Sequence, residues 1–187
     1  RPEDKENFTA LLQEFREQLD AKGSYLLTIA GAGGAEKMAN MELLKVSEIV
    51  DWVNVMSYDF HGGWDSTTGH NAPLYPSSSS PFTNESSSNV DASLQGWISA
   101  GADPDKVVMG APLYGRGWGG VSSSNSGLFQ AGSSASSGTF ENGVYDFEDL
   151  AQNYVGQGDW VRSVDPESMV PWLYSASQQT FISYDDA

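Results

Sequence analysis

Residues 52–64, WVNVMSYDFHGGW, decide how the rest of this chain is read. Val53, Val55 and Phe60 favour a strand, and apolar residues dominate as far as Met56. The run then delivers Tyr58, Asp59 and His61 to its end, where Gly62-Gly63 breaks it. Polar groups on a buried strand are costly without partners, so they gather where a strand emerges into a site. Trp64 follows, a large flat ring placed where the strand has become loop.

Two similar strands flank it. Residues 25–30 (YLLTIA) lead into Gly31-Ala32-Gly33-Gly34, and residues 106–113 (KVVMGAPL) lead into Tyr114-Gly115-Arg116-Gly117-Trp118. The glycine run lacks the Walker lysine and the full GxGxxG spacing of a phosphate loop, so it reads as close backbone packing. Helices are expected between the strands. Phe8, Leu11, Leu12, Phe15 and Leu19 make one face over residues 4–21, with Gly23 as a stop. Further helices are expected over residues 38–50 and around Val90, Leu94, Trp97 and Ile98, the last closed by Gly101. Helices alternating with apolar strands imply a parallel α/β sheet or barrel. The polar and aromatic clusters all follow strands, on the C-terminal face where such folds place their sites. A long loop over residues 62–88, with Pro73, Pro76 and Pro81 inside it, leaves the same face. Beyond Gly119 the composition turns glycine- and serine-rich. A short helix behind Asp146 and paired strands over 170–174 and 180–184 are expected, which is α+β in character.

The whole chain sets bounds. At 187 residues it can bury one substantial core, and no apolar run approaches the ~18–20 residues of a membrane span. The opening RPEDKENF has no leader character. Nine Lys+Arg against 25 Asp+Glu give a net charge of −16, which argues against nucleic acid or an anionic membrane as partner. There is no cysteine, hence no disulfide, Cys–Zn site or thiol nucleophile. His61 and His70 match no metal-ligand motif, and no metal is expected. Asn7 and Asn84 sit in glycosylation sequons, which matter only in a eukaryotic secretory host.

Several motifs together resemble one family. Met56-Ser57-Tyr58-Asp59-Phe60, then Gly63-Trp64, then Gly69-His70-Asn71-Ala72-Pro73-Leu74, is similar to the sixth-strand region of the family 18 glycoside hydrolases, the chitinases. Residues 27–30 (LTIA) resemble the fifth strand and residues 109–118 (MGAPLYGRGW) the seventh. Residues 119–184 resemble the α+β insertion that walls the chitin groove. The resemblance implies a (β/α)8 TIM-type barrel of which this chain is the middle: residues 1–118 as partial barrel, 119–184 as insertion, 185–187 returning towards the barrel. Strands one to four are then expected upstream and strand eight downstream. The family's D-x-x-D-x-D-x-E signature, ending in the acid glutamate, does not occur in these 187 residues; Asp146-Phe147-Glu148-Asp149 has the wrong spacing.

The resemblance further implies cleavage of β-1,4-linked N-acetylglucosamine with retention, the substrate's own acetamido oxygen acting as nucleophile. Tyr58 would donate to that oxygen, and Asp59 would stand beside the glutamate and help keep its proton on. Arg116 and Tyr114 would contact sugar, Trp64 would stack on a sugar beyond the cleavage point, and Met56 would be a wall residue. Trp118 reads as groove lining or as packing, Asn71 as a loop brace or a sugar contact, and His61 receives no role. No cofactor is implied. The partners implied are chitin or chitooligosaccharides and the remainder of the barrel, in a secreted enzyme; a non-catalytic chitin-binding relative is the alternative.

Overall fold

The computed structural model describes residues 4–186. They form two compact units, residues 4–57 with Ser87–Gly110, and Tyr58–Ser86 with residues 111–186.

The first unit is a parallel sheet with helices. Its strands β1 (Thr28–Ala32), β2 (Trp52–Met56) and β3 (Val107–Met109) lie in the order β1-β2-β3. Val53 and Val55 of β2 point into a core with Leu12, Val46, Val50 and Trp97. Leu12 comes from α1 (Lys5–Asp20), Val46 from α3 (Leu43–Ile49) and Trp97 from α4 (Val90–Ser99). The opposite face of the sheet, with Thr28, Ala30, Asn54, Met56 and Val108, is exposed.

The helix expected over 38–50 is the shorter α3, and a separate short helix, α2 (Ala35–Met38), precedes it. Asn40 and Met41 donate their N–H groups to Lys37 and Met38, three residues back, and the Asn40 side chain donates to the Glu36 carbonyl. Asparagine competes with the helical ladder in this way, and α2 ends there. Lys106 closes the far end of α3, donating to the carbonyls of Ser47 and Val50 at 3.0 and 2.9 Å. The glycine run packs closely: a Cβ on Gly31 would lie 2.3 Å from Val53 Cγ1, and one on Gly33 2.4 Å from the Met56 carbonyl oxygen. Gly31 belongs to β1 itself, and that strand begins three residues later than the apolar run suggests. β3 stops at Met109, short of the expected Leu113; Pro112 has no N–H to offer a ladder.

The second unit is a six-stranded sheet in the order β5-β4-β9-β8-β7, with β6 also paired to β4. Its strands are β4 (Tyr114–Gly119), β5 (Ser133–Ser134), β6 (Val144–Asp146), β7 (Trp160–Asp165), β8 (Val170–Ser175) and β9 (Thr180–Ser183), all antiparallel in their pairings. The short helix α5 (Phe147–Asn153) is capped by the Asp146 carboxylate, which accepts the Glu148 N–H. Two apolar clusters fill it, one around Trp118, Trp172 and Phe181, the other around Tyr145, Leu150 and Ile182. β7 is a strand the apolar pattern does not announce: Val161 and Val164 are exposed and Arg162 lies between them.

A buried hydrogen-bonded pair ties the loop after Gly69 to the β7–β8 turn. His70 Nε2 lies 3.2 Å from Asp165 Oδ2, while Asp165 Oδ1 accepts the N–H groups of Glu167 and Ser168. The His70 bond, opposed by burial and aided by those N–H groups, holds the Asp165 carboxyl well below the usual range. A depressed carboxyl stabilises the fold above its unfolded value of about 4, and that stability is lost as the pH falls from there towards the folded value. Asp165→Asn is expected to cost about 2 kcal/mol near pH 7. It should also flatten the acid limb of a plot of Tm against pH below about pH 4, measured by thermal unfolding of the full-length protein.

Candidate active site

Tyr58 and Asp59 open the second unit, at the point where the chain has left β2. Asp59 has φ 58, a left-handed backbone that non-glycine residues adopt at a cost and that aspartate tolerates better than most. Asn71 holds it there. The Asn71 side-chain oxygen accepts the Asp59 N–H at 3.0 Å, its amide donates to the Tyr114 carbonyl at 3.3 Å, and its own carbonyl accepts the Phe60 N–H at 3.0 Å. The Asn71 N–H in turn donates to Ser183 Oγ at 2.8 Å, so the loop is fastened to β9.

Held this way, Asp59 turns one oxygen towards β4. Oδ1 accepts the Tyr114 hydroxyl at 2.8 Å and Arg116 Nε at 2.9 Å, and Arg116 Nη2 lies 2.8 Å from the same atom. Residues i and i+2 share a face of a strand, which is why Tyr114 and Arg116 reach one carboxylate. Burial, and then the bond and charge of Asp59, push the Tyr114 phenol well above its ordinary value, so it remains a neutral donor. The Tyr58 ring meets Tyr114 edge-on, centroids 6.2 Å apart. Trp64 is 60% exposed, and the Arg116 guanidinium stands 5.1 Å from its ring centroid. The unit thus presents a phenol, a clamped carboxylate, an arginine and a flat ring together. Such a set can orient a polar, ring-shaped ligand by stacking and by charge-assisted hydrogen bonds.

Not every residue singled out from the sequence faces outward. Trp118 is fully buried, its ring against Phe181 and its indole N–H donating to the Asp65 carbonyl at 3.0 Å. Asn71 is also fully buried, with both ends of its amide engaged inside the unit, which makes it a loop brace. Met56 ends β2 in the first unit and is 39% exposed. His61, given no role from sequence, is buried with its ring stacked on Phe82 and its Nδ1 3.2 Å from Asp65 Oδ2. Its Nε2 lies 3.7 Å from Glu85 Oε2. Burial alone would raise the Glu85 carboxyl; the His61 ring, the Ser80 hydroxyl and the Ser77 N–H outweigh it and hold it below its ordinary value.

Comparison with known proteins gives the family. The model of the Glycosyl hydrolases family 18 matches residues 1–187, and the chain belongs to that family. It is 46% identical over 196 residues to Chitinase A1 of Niallia circulans, covering all of this chain and 28% of that protein. Among solved structures it is similar to chitinase ChiA74 of Bacillus thuringiensis, with a TM-score of 0.91 at 42% identity, covering all of this chain and 32% of that one. It is also similar to a family 18 N-acetylglucosaminidase of Paenibacillus barengoltzii, with a TM-score of 0.86 at 37% identity, covering 100% and 53%. The chain therefore spans about a third or less of the two chitinases and about half of the N-acetylglucosaminidase.

Asn71→Ala removes the acceptor of the Asp59 N–H and a donor to Tyr114, leaving buried groups unpaired. The expected cost is about 2 kcal/mol of stability, read as a lower Tm of the full-length protein. A variant with unchanged Tm and weakened oligosaccharide binding would instead mark Asn71 as a sugar contact.

Proposed function

We propose that this chain is part of a secreted chitinase, contributing strands five to seven of a (β/α)8 barrel together with the α+β insertion. The family membership supports the hydrolase class, and the names of the relatives support chitin as substrate. The observation that carries the site is the Asp59 carboxylate clamped by Tyr114 and Arg116 with Tyr58 beside it. The exposed face of the parallel sheet, with Met56 and Val108, fits a barrel interior that other strands of the same polypeptide would cover.

In this reading the bond cleaved is the β-1,4 linkage between N-acetylglucosamine units, with net retention. The acetamido oxygen of the substrate attacks the anomeric carbon as the glycosidic oxygen takes a proton and leaves; water then opens the ring so formed. Tyr58 donates its hydroxyl to the acetamido group and holds it in line. Asp59 offers its remaining oxygen near the reacting centre and, as a negative charge, favours the protonated form of a neighbouring acid. Arg116 is doubly engaged, with Asp59 and over Trp64, and so sets the spacing between the acetamido clamp and the platform on which a sugar stacks. No cofactor or metal enters these steps.

In this reading the proton donor would be a glutamate at the end of the fourth barrel strand, which these 187 residues do not include. A glutamate there marks a hydrolase; glutamine, leucine or isoleucine marks a chitin-binding relative on the same scaffold. Residues 1–187 alone are then expected to give no turnover of a chromogenic chitobioside, and measurable release of chromophore would contradict the assignment. In the full-length protein, Tyr58→Phe should lower kcat by about 10- to 100-fold, more than it raises KM, because the lost bond matters most in the transition state. Steady-state kinetics on chitooligosaccharides checks this, and an unchanged kcat would remove Tyr58 from the mechanism.

A further inference from the structure

Trp64 is a ring with little to hold it. The Arg116 guanidinium stands over it, and Gly62 lies beneath, where a Cβ would come within 2.4 Å of the indole. What places the ring is the backbone on either side. The Asp65 N–H donates to the Gly62 carbonyl at 2.8 Å, closing a β-turn with Gly63 and Trp64 at its corner.

Asp65 is fastened at both ends. Its carbonyl accepts the Trp118 indole N–H from the core of the unit. Its Oδ2 accepts the Gly62 N–H at 3.2 Å and lies 3.2 Å from His61 Nδ1. His61 cannot easily move. Its ring stacks on Phe82 with centroids 3.7 Å apart, and Gly69 lies so close that a Cβ there would sit 2.8 Å from the imidazole. Glu85 stands 3.7 Å from the other ring nitrogen, and its carboxylate also accepts the Ser80 hydroxyl at 2.8 Å and the Ser77 N–H at 3.4 Å. The imidazole therefore couples an ordered serine-rich loop to the turn that carries the platform.

We propose that His61 is a positioning residue for sugar binding, acting through the Asp65 carboxylate to fix the pitch of the Trp64 ring. The proposal rests on the reading of Trp64 as a sugar platform. Two substitutions separate a positioning role from plain packing. His61→Asn keeps an amide donor near the place of Nδ1, whereas His61→Gln carries its donor out towards Nε2 and Glu85.

The test is steady-state kinetics of the full-length protein on chitohexaose, with the melting temperature of each variant recorded. His61→Gln is expected to raise KM about 3- to 10-fold, the scale of one stacking contact, and to lower kcat by less than that. His61→Asn should restore most of the loss. In a Trp64→Ala background His61→Gln should add little, because both changes act on one ring. Equal damage from the two His61 variants, additivity with Trp64→Ala, or a His61→Gln protein that melts below the assay temperature would each overturn the proposal. An ineffective Trp64→Ala would overturn the platform reading and the proposal with it. Should the unsubstituted protein bind chitohexaose without cleaving it, the hydrolase reading alone falls, and the same comparison is made on Kd.

Discussion

One carboxylate oxygen organises the second unit. Asp59 Oδ1 takes a phenol O–H and two guanidinium nitrogens from β4, and it can do so only because the Asp59 backbone is left-handed. That conformation is costly, and Asn71 offsets the cost by holding the Asp59 and Phe60 N–H groups with one residue. The same clamp reaches the exposed Trp64 ring, since Arg116 serves both the carboxylate and the ring.

Much of this was legible in the residues. α1 shows in its apolar stripe, β2 in the alternation of Val53 and Val55, and the site in the polar and aromatic residues that follow strands. The i, i+2 spacing of Tyr114, Arg116 and Trp118 marks one face of β4, and that much is visible without coordinates. What covers part of that face is not. The loop after Trp64 lays Thr68 against Gln130, with Thr68 N–H donating to the Gln130 carbonyl at 2.9 Å, and the Trp118 indole is sealed beneath it. An aromatic ring just past a strand looks the same in sequence whether it ends in a groove or a core.

Other differences have local causes. Asn40 ends α2 because its side chain and backbone both turn inward to the preceding residues, and the helix expected from residue 38 begins only at Leu43. β7 escapes an apolar search because its valines face solvent and its partner β8 supplies the buried residues. His61 gave no signal at all: a lone histidine gains meaning only from Asp65, Phe82 and Glu85, and Phe82 and Glu85 lie some twenty residues along a proline-rich loop.

A free carboxylate can spin about its Cβ–Cγ bond and present either oxygen to a visitor. Asp59 has lost that freedom, since any rotation short of a half-turn, which merely exchanges the two equivalent oxygens, would strip Tyr114 and Arg116 of their acceptor. Only Oδ2 remains for an incoming donor, from one side and at one angle. If Asp59 meets a sugar as proposed, it would discriminate by direction: a ligand whose hydroxyl or amide is displaced by a single bond length would meet an acceptor that cannot follow it, and epimers that differ in nothing but the sense of one substituent would become distinguishable.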